Sequence, residues 1–277
     1  MRSAVESIWT WIALVTLMVL WVPLLAVIRL FDRDPAHYPT GRMFRRLGKT
    51  MTKVNPAWRI EIGGETIDDP RHPYVVVCNH LSNADIPIIS CLPWDMKWVA
   101  KAELLKVPVV GWLMQLAGDI PVDRKSKMSR ARVLVTARQY LTDRCSVMFF
   151  PEGTRSRDGR LYGFTDGAFR LAIKAQVPIL PLVIDGTQET LPKHSWKFGA
   201  ARVKLTVLPP VPTTGLKAAD TEALREQVRR AILAQLVAWR GVSPEAVDAA
   251  RSPDKDQDSA KTPAPATSPE PEPHKAH

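Results

Sequence analysis

Residues 74–85 read Tyr-Val-Val-Val-Cys-Asn-His-Leu-Ser-Asn-Ala-Asp and hold the clearest signal of the fold. The apolar run 74–78 predicts a buried β-strand, and His80 and Asp85 follow it directly. Open α/β sheets bind their ligands at the carboxyl ends of strands. An imidazole delivered there beside a carboxylate has the arrangement of a general base and its orienting group. A lone histidine at a strand end is more often structural, so a catalytic interpretation needs support from other parts of the chain.

Short apolar runs alternate with helical patterns from about residue 58 to residue 208. The runs predict strands at 74–78, 96–100, 147–150, 179–184 and 203–208. Helical patterns lie at 85–91, 129–141 and 167–174, and an amphipathic helix at 221–239 is expected to pack on the sheet. This alternation is typical of an α/β sheet flanked by helices.

Residues 8–28 carry no charged side chain and can cross a bilayer at about 1.5 Å per residue, so we expect an N-terminal transmembrane helix. A cleaved signal peptide is the alternative, but the stretch is long for one and no small-residue cleavage site follows. Arg2 precedes the segment, whereas six basic residues follow it: Arg29, Arg33, Arg42, Arg45, Arg46 and Lys49. The positive-inside rule implies a single-pass protein of the inner (cytoplasmic) membrane with its catalytic domain on the cytoplasmic side.

Residues 41–54 form a second membrane-related pattern. Four apolar residues at helical spacing oppose a basic face that consists of Arg42, Arg45, Arg46, Lys49 and Lys53. A basic amphipathic helix fits a membrane surface, and the neighbouring anchor supports that interpretation. The alternative is an ordinary helix packed on the domain with a solvated charged face.

The net charge bears on the kind of partner, and the cysteines bear on disulfide formation and zinc binding. A net charge of +10 and a pI near 9.7 favour an anionic partner without choosing between nucleic acid, lipid and phosphorylated substrate. Cys78, Cys91 and Cys145 are odd in number and lack CxxC spacing, so neither a disulfide framework nor a zinc site is indicated. The predicted organisation is an anchor at 1–30, a basic interfacial segment at 31–57, an α/β domain at 58–251 and a disordered tail at 252–277.

Two further charged clusters follow apolar stretches. Residues 149–157 read Phe-Phe-Pro-Glu-Gly-Thr-Arg-Ser-Arg, in which Gly153 permits close backbone approach and either Arg155 or Arg157 can bind a phosphate through two hydrogen bonds. Residues 118–124 read Gly-Asp-Ile-Pro-Val-Asp-Arg and present Arg124 in a similar way. The first cluster has the composition of an anion-binding loop, although a turn rich in charged residues is, by itself, more often a solvated loop.

The order of these clusters resembles the glycerophospholipid acyltransferase family, and most of all the 1-acyl-sn-glycerol-3-phosphate acyltransferases, over residues 74–187. His80 and Asp85 match the family's HxxxxD motif. Residues 119–124 resemble its second block, 150–155 match its third and 177–183 match its fourth. Residues 101–104, followed by Pro108 and Gly111, are similar to its connecting segment, whereas Pro121 departs from the aromatic or aliphatic residue of many members.

The resemblance implies transfer of a fatty acyl group from a thioester, on coenzyme A or acyl carrier protein, to a lysophospholipid in a membrane. With 1-acyl-sn-glycerol-3-phosphate as the acceptor, the product is phosphatidic acid. It implies catalytic roles for His80 and Asp85 and substrate-binding roles for Lys101, Arg124, Glu152, Gly153, Thr154 and Arg155. A neutral histidine can activate the hydroxyl directly. No metal-binding pattern such as HExxH appears, so we expect no metal. We also expect no cofactor beyond the acyl donor and no nucleic-acid partner.

Alternative functions stay open at this point. The acceptor could be another lysolipid, such as a lyso-ornithine lipid, or glycerol-3-phosphate. In a His/Asp-dependent lipid hydrolase, His80 would activate water instead of an alcohol. A non-catalytic lipid-binding protein is a third class, which the intact pair of His80 and Asp85 disfavours.

Overall fold

The computed structural model describes residues 4–191 and 195–249, so the tail at 252–277 lies outside the described residues. The strands are β1 (Trp58–Gly64), β2 (Val75–Cys78), β3 (Met96–Lys101), β4 (Ile120–Val122), β5 (Ser146–Phe149), β6 (Ile179–Asp185) and β7 (Ala201–Val207). The α-helices are α1 (Ala4–Phe31), α2 (Tyr38–Met51), α3 (Asp85–Ile89), α4 (Val110–Ala117), α5 (Lys127–Thr142), α6 (Gly167–Ala175), α7 (Thr221–Arg240) and α8 (Pro244–Val247). Short 3₁₀ helices cover Ala102–Lys106, Thr187–Glu189 and Ala218–Asp220.

The strands form one sheet in the order β1-β7-β6-β2-β5-β3-β4. β6 and β7 are antiparallel, whereas every other neighbouring pair is parallel. β2 lies between β6 and β5, with Val76 opposite Leu180 on one side and Met148 on the other. Because β2, β5, β3 and β4 are parallel neighbours, the segments that follow them all begin at one edge of the sheet.

β2 is buried on both faces, and its side chains alternate between two apolar layers. Val75 and Val77 pack with residues of α5, α6 and α7, whereas Val76 and Cys78 pack with residues of α3. All four side chains are fully buried. A central parallel strand covered on both faces reads as a continuous apolar run, which explains why this strand could be predicted.

The strands that the sequence analysis missed are the two edge strands, β1 and β4. β1 is exposed over most of its length, and β4 has only three residues, of which Pro121 is exposed. Neither strand therefore shows a continuous apolar run. The sequence analysis also missed α4, an eight-residue helix that packs against α1 and α2.

α2 is packed into the folded unit, and this corrects the membrane-facing role predicted for Arg42 and Arg45. Arg42 donates hydrogen bonds of 2.9 and 3.1 Å to two backbone carbonyls in the loop before β3. Arg45 is buried, pairs with Asp119 at 2.9 Å and lies 3.4 Å from Asp95. Helical spacing cannot distinguish a charged face in water from one that meets buried carboxylates. The basic residues of the predicted face that stay exposed are Arg46, Lys49 and Lys53.

α1 is long and apolar enough to cross a membrane, with a mean hydropathy of 2.6. It also packs on the rest of the chain near its start and in its middle. The Ser7 hydroxyl accepts the Phe198 N–H at 3.1 Å, and the Trp21 indole donates to the Met43 carbonyl at 3.0 Å. α1 is therefore not a detached stalk. The division of the chain at residues 30 and 57 stays a prediction, and the contacts of α1 and α2 cross both positions.

Candidate active site

His80 and Asp85 form a hydrogen-bonded pair just beyond the carboxyl end of β2. Nδ1 of His80 lies 2.7 Å from Oδ2 of Asp85. The aspartate is fully buried, whereas the histidine side chain keeps 13% of its surface exposed. A carboxylate at Nδ1 favours the tautomer with its proton on that nitrogen, which leaves Nε2 able to accept a proton. The structure thus brings together the two residues that the sequence analysis paired.

The loop between the two residues is closed by the same carboxylate. Oδ2 of Asp85 also accepts the backbone N–H groups of Leu81, at 2.8 Å, and Ser82, at 3.0 Å. Asp85 is the first residue of α3, so the start of the helix fixes its backbone. These bonds hold the carboxylate in one orientation, and the imidazole is oriented with it.

Phe150 supports one face of the imidazole. The ring centroids of His80 and Phe150 are 3.8 Å apart and the ring planes differ by 14°. Phe150 directly follows β5, which is hydrogen-bonded to β2, and its ring also contacts Trp98 of β3. The sequence analysis assigned no role to Phe150, since an aromatic residue after a strand gives no signal of what it will stack on.

Glu152 lies behind His80, buried to 1% exposure. Its Oε1 accepts the backbone N–H of His80 at 2.7 Å, and its Oε2 accepts that of Tyr162 at 2.9 Å. Burial, with a smaller contribution from the Asp85 charge, raises the pKa of Glu152 to about 8, although the two hydrogen bonds act in the opposite direction. The substrate-binding role implied for Glu152 is corrected by these contacts, because its carboxylate faces backbone. Its contacts are those of a positioning residue.

The basic residues of the other two clusters lie along the same edge of the sheet. Arg124 follows β4, and its guanidinium donates a hydrogen bond to the Gly153 carbonyl oxygen. Gly153 has a φ of 73°, in the left-handed region that favours glycine, and nothing lies within 4 Å of the position of a Cβ. Thr154 is partly exposed and Arg155 is exposed. This loop therefore offers backbone, a hydroxyl and a guanidinium to open space.

Lys101, the last residue of β3, lies at this edge as well. Its Cα is paired in register with that of Val122, two residues before Arg124. The ammonium forms a 3.2 Å ion pair with Glu103, and both side chains are more than half exposed. Lys101 is therefore accessible at the rim of the site without touching the His80 pair.

Asp119 and Arg124, two charged residues of the second cluster, residues 118–124, differ in what they contact. The side chain of Asp119 is only 3% exposed, accepts the Trp98 N–H at 3.0 Å and pairs with Arg45 of α2. Burial raises the pKa of Asp119, although Arg45 lowers it. Asp119 thus links α2 to the sheet, while Arg124 at the end of the same cluster reaches the candidate site.

Asn79 is a residue of the site region that the sequence analysis quoted without a role. Its side-chain amide donates to the Ile184 carbonyl at 2.8 Å and accepts the Ile184 N–H at 2.9 Å. These bonds attach the end of β2 to β6 at the residue before His80. The sequence did offer a signal for this role, since Asn79 is a polar residue between a buried strand and a candidate catalytic histidine.

Comparisons with known proteins agree with this geometry. Residues 59–185 match the Acyltransferase family model. The 1-acyl-sn-glycerol-3-phosphate acyltransferase alpha of Ovis aries is 41% identical over 177 residues, which are 63% of this chain and 62% of the relative. A chloroplastic 1-acyl-sn-glycerol-3-phosphate acyltransferase of Arabidopsis thaliana is 33% identical over 185 residues, 66% of this chain and 50% of the relative. The chain thus spans 62% or less of the length of these two curated relatives.

A solved structure shares the fold. The crystal structure of the 1-acyl-sn-glycerophosphate (LPA) acyltransferase PlsC from Thermotoga maritima has a TM-score of 0.71 and 24% sequence identity, and the similarity covers 86% of this chain and 96% of that one. The family resemblance of the sequence is confirmed by the family model and by the curated relatives. Residues 59–185 of this chain thus form a domain that matches the Acyltransferase family.

Proposed function

We propose that this protein transfers a fatty acyl group from a thioester donor to the free hydroxyl of 1-acyl-sn-glycerol-3-phosphate, giving phosphatidic acid for phospholipid synthesis. The observation that carries the proposal is the 2.7 Å pair of His80 and Asp85 at the edge of the sheet where Arg124 and Arg155 also lie. The site thus combines a candidate base with cations suited to a phosphate. The names of the curated relatives support the same acceptor.

The reaction follows from the free nitrogen of the imidazole. As the acceptor hydroxyl attacks the thioester carbonyl, Nε2 of His80 takes its proton, and Asp85 stabilises the imidazolium through Nδ1. A carbon–oxygen bond forms, the carbon–sulfur bond breaks, and the proton passes from His80 to the departing thiolate. Thiolates leave readily, so no metal or further cofactor is needed for this step.

Direct attack also fits the state of the nearby thiol. Cys78 is fully buried, and burial together with the charges of Asp85 and Glu152 raises the pKa of its thiol well above the ordinary range. A thiol must ionise to act as a nucleophile, so Cys78 is a core residue and not an intermediate acyl carrier.

The phosphate end of the acceptor is assigned to the loop after β5 and the end of β4. Arg155 is exposed, and among the described residues no carboxylate pairs with it, so its guanidinium can bind two phosphate oxygens. Thr154 and the Gly153 backbone lie in the same loop. Arg124 holds this loop through the Gly153 carbonyl and adds positive charge, and Lys101 adds more at the rim.

The acceptor and the product are membrane lipids, so the apolar helix α1 would serve to hold the protein at the membrane that contains them. We place the protein at the inner membrane with the site on the cytoplasmic side, where acyl-CoA and acyl carrier protein are found. The basic residues after α1 support this orientation.

The experiment is mass spectrometry of the products after purified protein is incubated with a lysolipid panel and either donor. We expect phosphatidic acid from lysophosphatidic acid and little product from lyso-ornithine lipid or glycerol-3-phosphate. Predominant acylation of another acceptor would overturn the proposed substrate. Release of free fatty acid at the same rate with and without acceptor would indicate a hydrolase instead.

A further inference from the structure

Residues 104–112, Leu-Leu-Lys-Val-Pro-Val-Val-Gly-Trp, form an apolar segment at the candidate active site edge. The segment begins three residues after Lys101, where β3 ends, and continues into α4. Val107 is 42% exposed and Trp112 is 54% exposed. Exposed single hydrophobic residues are common, but two exposed apolar side chains on either side of one turn are candidates for an interaction surface.

The turn within this segment is held in one shape. Val109 has a φ of 66°, which is rare for a β-branched residue and indicates local strain. A Cβ on Gly111 would lie 2.2 Å from the carbonyl oxygen of Leu105, so only glycine allows this close approach. Strained backbone persists where the surrounding structure fixes it, often at functional sites. The segment therefore presents Val107 and Trp112 from a fixed turn.

The segment packs on the apolar helix α1 at Val109, and α4 continues this contact beyond residue 112. Val109, Leu113 and Leu116 share a hydrophobic cluster with Leu25 and with partly buried α1 residues in the range 17–22. These α1 residues lie in the middle of the helix and not at its ends. Trp112 is adjacent in sequence to Leu113, so it lies close to the central part of α1. Any bilayer that contains this part of α1 also reaches the segment.

The charges around the segment fit a membrane boundary. Lys101 and Lys106 are exposed, and long lysine side chains can extend from an apolar surface toward lipid headgroups. On the other side, Lys101 is paired in register with Val122, close to Arg124 of the proposed phosphate site. The segment thus connects the apolar surface of α1 to the edge of the sheet where the acceptor phosphate would lie.

We propose that residues 104–112 insert into the membrane beside α1 and hold the carboxyl edge of the sheet at the lipid surface. The partner is a lipid bilayer, and the acceptor then passes from the bilayer to His80 without crossing water. This consequence for catalysis rests on the proposed function, whereas the insertion itself does not.

The experiment attaches an environment-sensitive fluorophore to the full-length protein at position 107 through Val107→Cys. A matched control carries it at position 135 through Val135→Cys, because Val135 is 72% exposed on α5, in the helix layer on the opposite face of the sheet from α3. The unsubstituted protein, treated with the same reagent, corrects for the three native cysteines. Vesicles of phosphatidylcholine and phosphatidylglycerol are then added.

We expect a blue shift of emission at position 107 and none at position 135. Absence of a shift at position 107 would overturn the inference, and so would equal shifts at both positions, which indicate non-specific adsorption. The double substitution Val107→Glu and Trp112→Glu should reduce turnover on lysophosphatidic acid in vesicles about tenfold or more, and leave turnover of a water-soluble short-chain acceptor within about twofold. If position 107 inserts but no lysolipid is acylated, the proposed function fails and the insertion stands.

Discussion

Glu152 accepts the backbone N–H of His80 at 2.7 Å and thereby connects the loop after β5 to the loop after β2. The carboxylate is buried, and its second oxygen accepts the Tyr162 N–H. The candidate base is thus held from two directions, by Asp85 at its ring and by Glu152 at its backbone.

Replacement of this carboxylate should affect turnover more than acceptor affinity. In Glu152→Gln, the amide NH₂ group faces one of the two backbone N–H groups, which leaves a buried donor without an acceptor. We expect kcat to fall about tenfold to a hundredfold, with KM for lysophosphatidic acid within about threefold of wild type. Steady-state kinetics on a variant shown to be folded by circular dichroism will measure both. A large rise in KM with unchanged kcat would mean that Glu152 binds substrate.

Stability should depend on pH through the same residue. The ordinary pKa of a glutamate is 4.5, and burial raises that of Glu152 to about 8 in the folded protein. Between these values the folded protein keeps a proton that the unfolded chain has lost, so the free energy of unfolding falls as pH rises. The contribution is fully present below pH 4.5 and is lost as pH rises through about 8. Urea unfolding at several pH values should show a shallower decline for Glu152→Gln, and parallel curves would contradict the assignment.

Arg155 and Arg124 should differ in how they affect phosphorylated and unphosphorylated acceptors. Arg155 is exposed in the loop, so Arg155→Ala should raise KM for lysophosphatidic acid about tenfold or more, through loss of a charge-assisted contact. It should change kinetics with monoacylglycerol little. Arg124 also bonds to the Gly153 carbonyl, so Arg124→Ala should impair both acceptors. Equal losses on both acceptors for Arg155→Ala would exclude it as the phosphate-binding residue.

Arg45 should be needed for stability, in contrast to its neighbour Arg46. Arg45→Met leaves the buried carboxylate of Asp119 without its closest cation, which typically costs about 3–5 kcal/mol. Arg46 is exposed on the same helix, so Arg46→Met should change the free energy of unfolding by about 0.5 kcal/mol or less. Chemical denaturation of both variants gives the comparison. Similar values for the two would show that the buried pair contributes little.

The central fold could be predicted because its strands are buried on both faces. The prediction of a strand at 74–78 corresponds to Val75–Cys78, and the prediction at 179–184 corresponds to Ile179–Asp185. The edge strands β1 and β4 could not be predicted in this way, since one side of each is open and the apolar run is broken. Periodicity detects burial, and an edge strand is only partly buried.

The candidate site could also be predicted from the sequence only in part. The spacing of His80 and Asp85 predicted their pairing, because both lie in one short loop after a buried strand. Contacts between distant segments were not predictable from spacing. The stack of Phe150 on His80 and the salt bridge of Arg45 with Asp119 join residues 70 and 74 positions apart. Such contacts depend on sheet order, which a single sequence does not reveal.

The most direct test of the account is the rate of phosphatidic acid formation by His80→Ala at saturating lysophosphatidic acid and acyl-CoA. Without Nε2, no group in the pair can accept the hydroxyl proton, whereas the phosphate-binding residues are unchanged. We predict a rate lower by about two to four powers of ten, with acceptor KM close to that of wild type. A folded His80→Ala protein that forms phosphatidic acid at a near wild-type rate would contradict the assignment of His80 as the base.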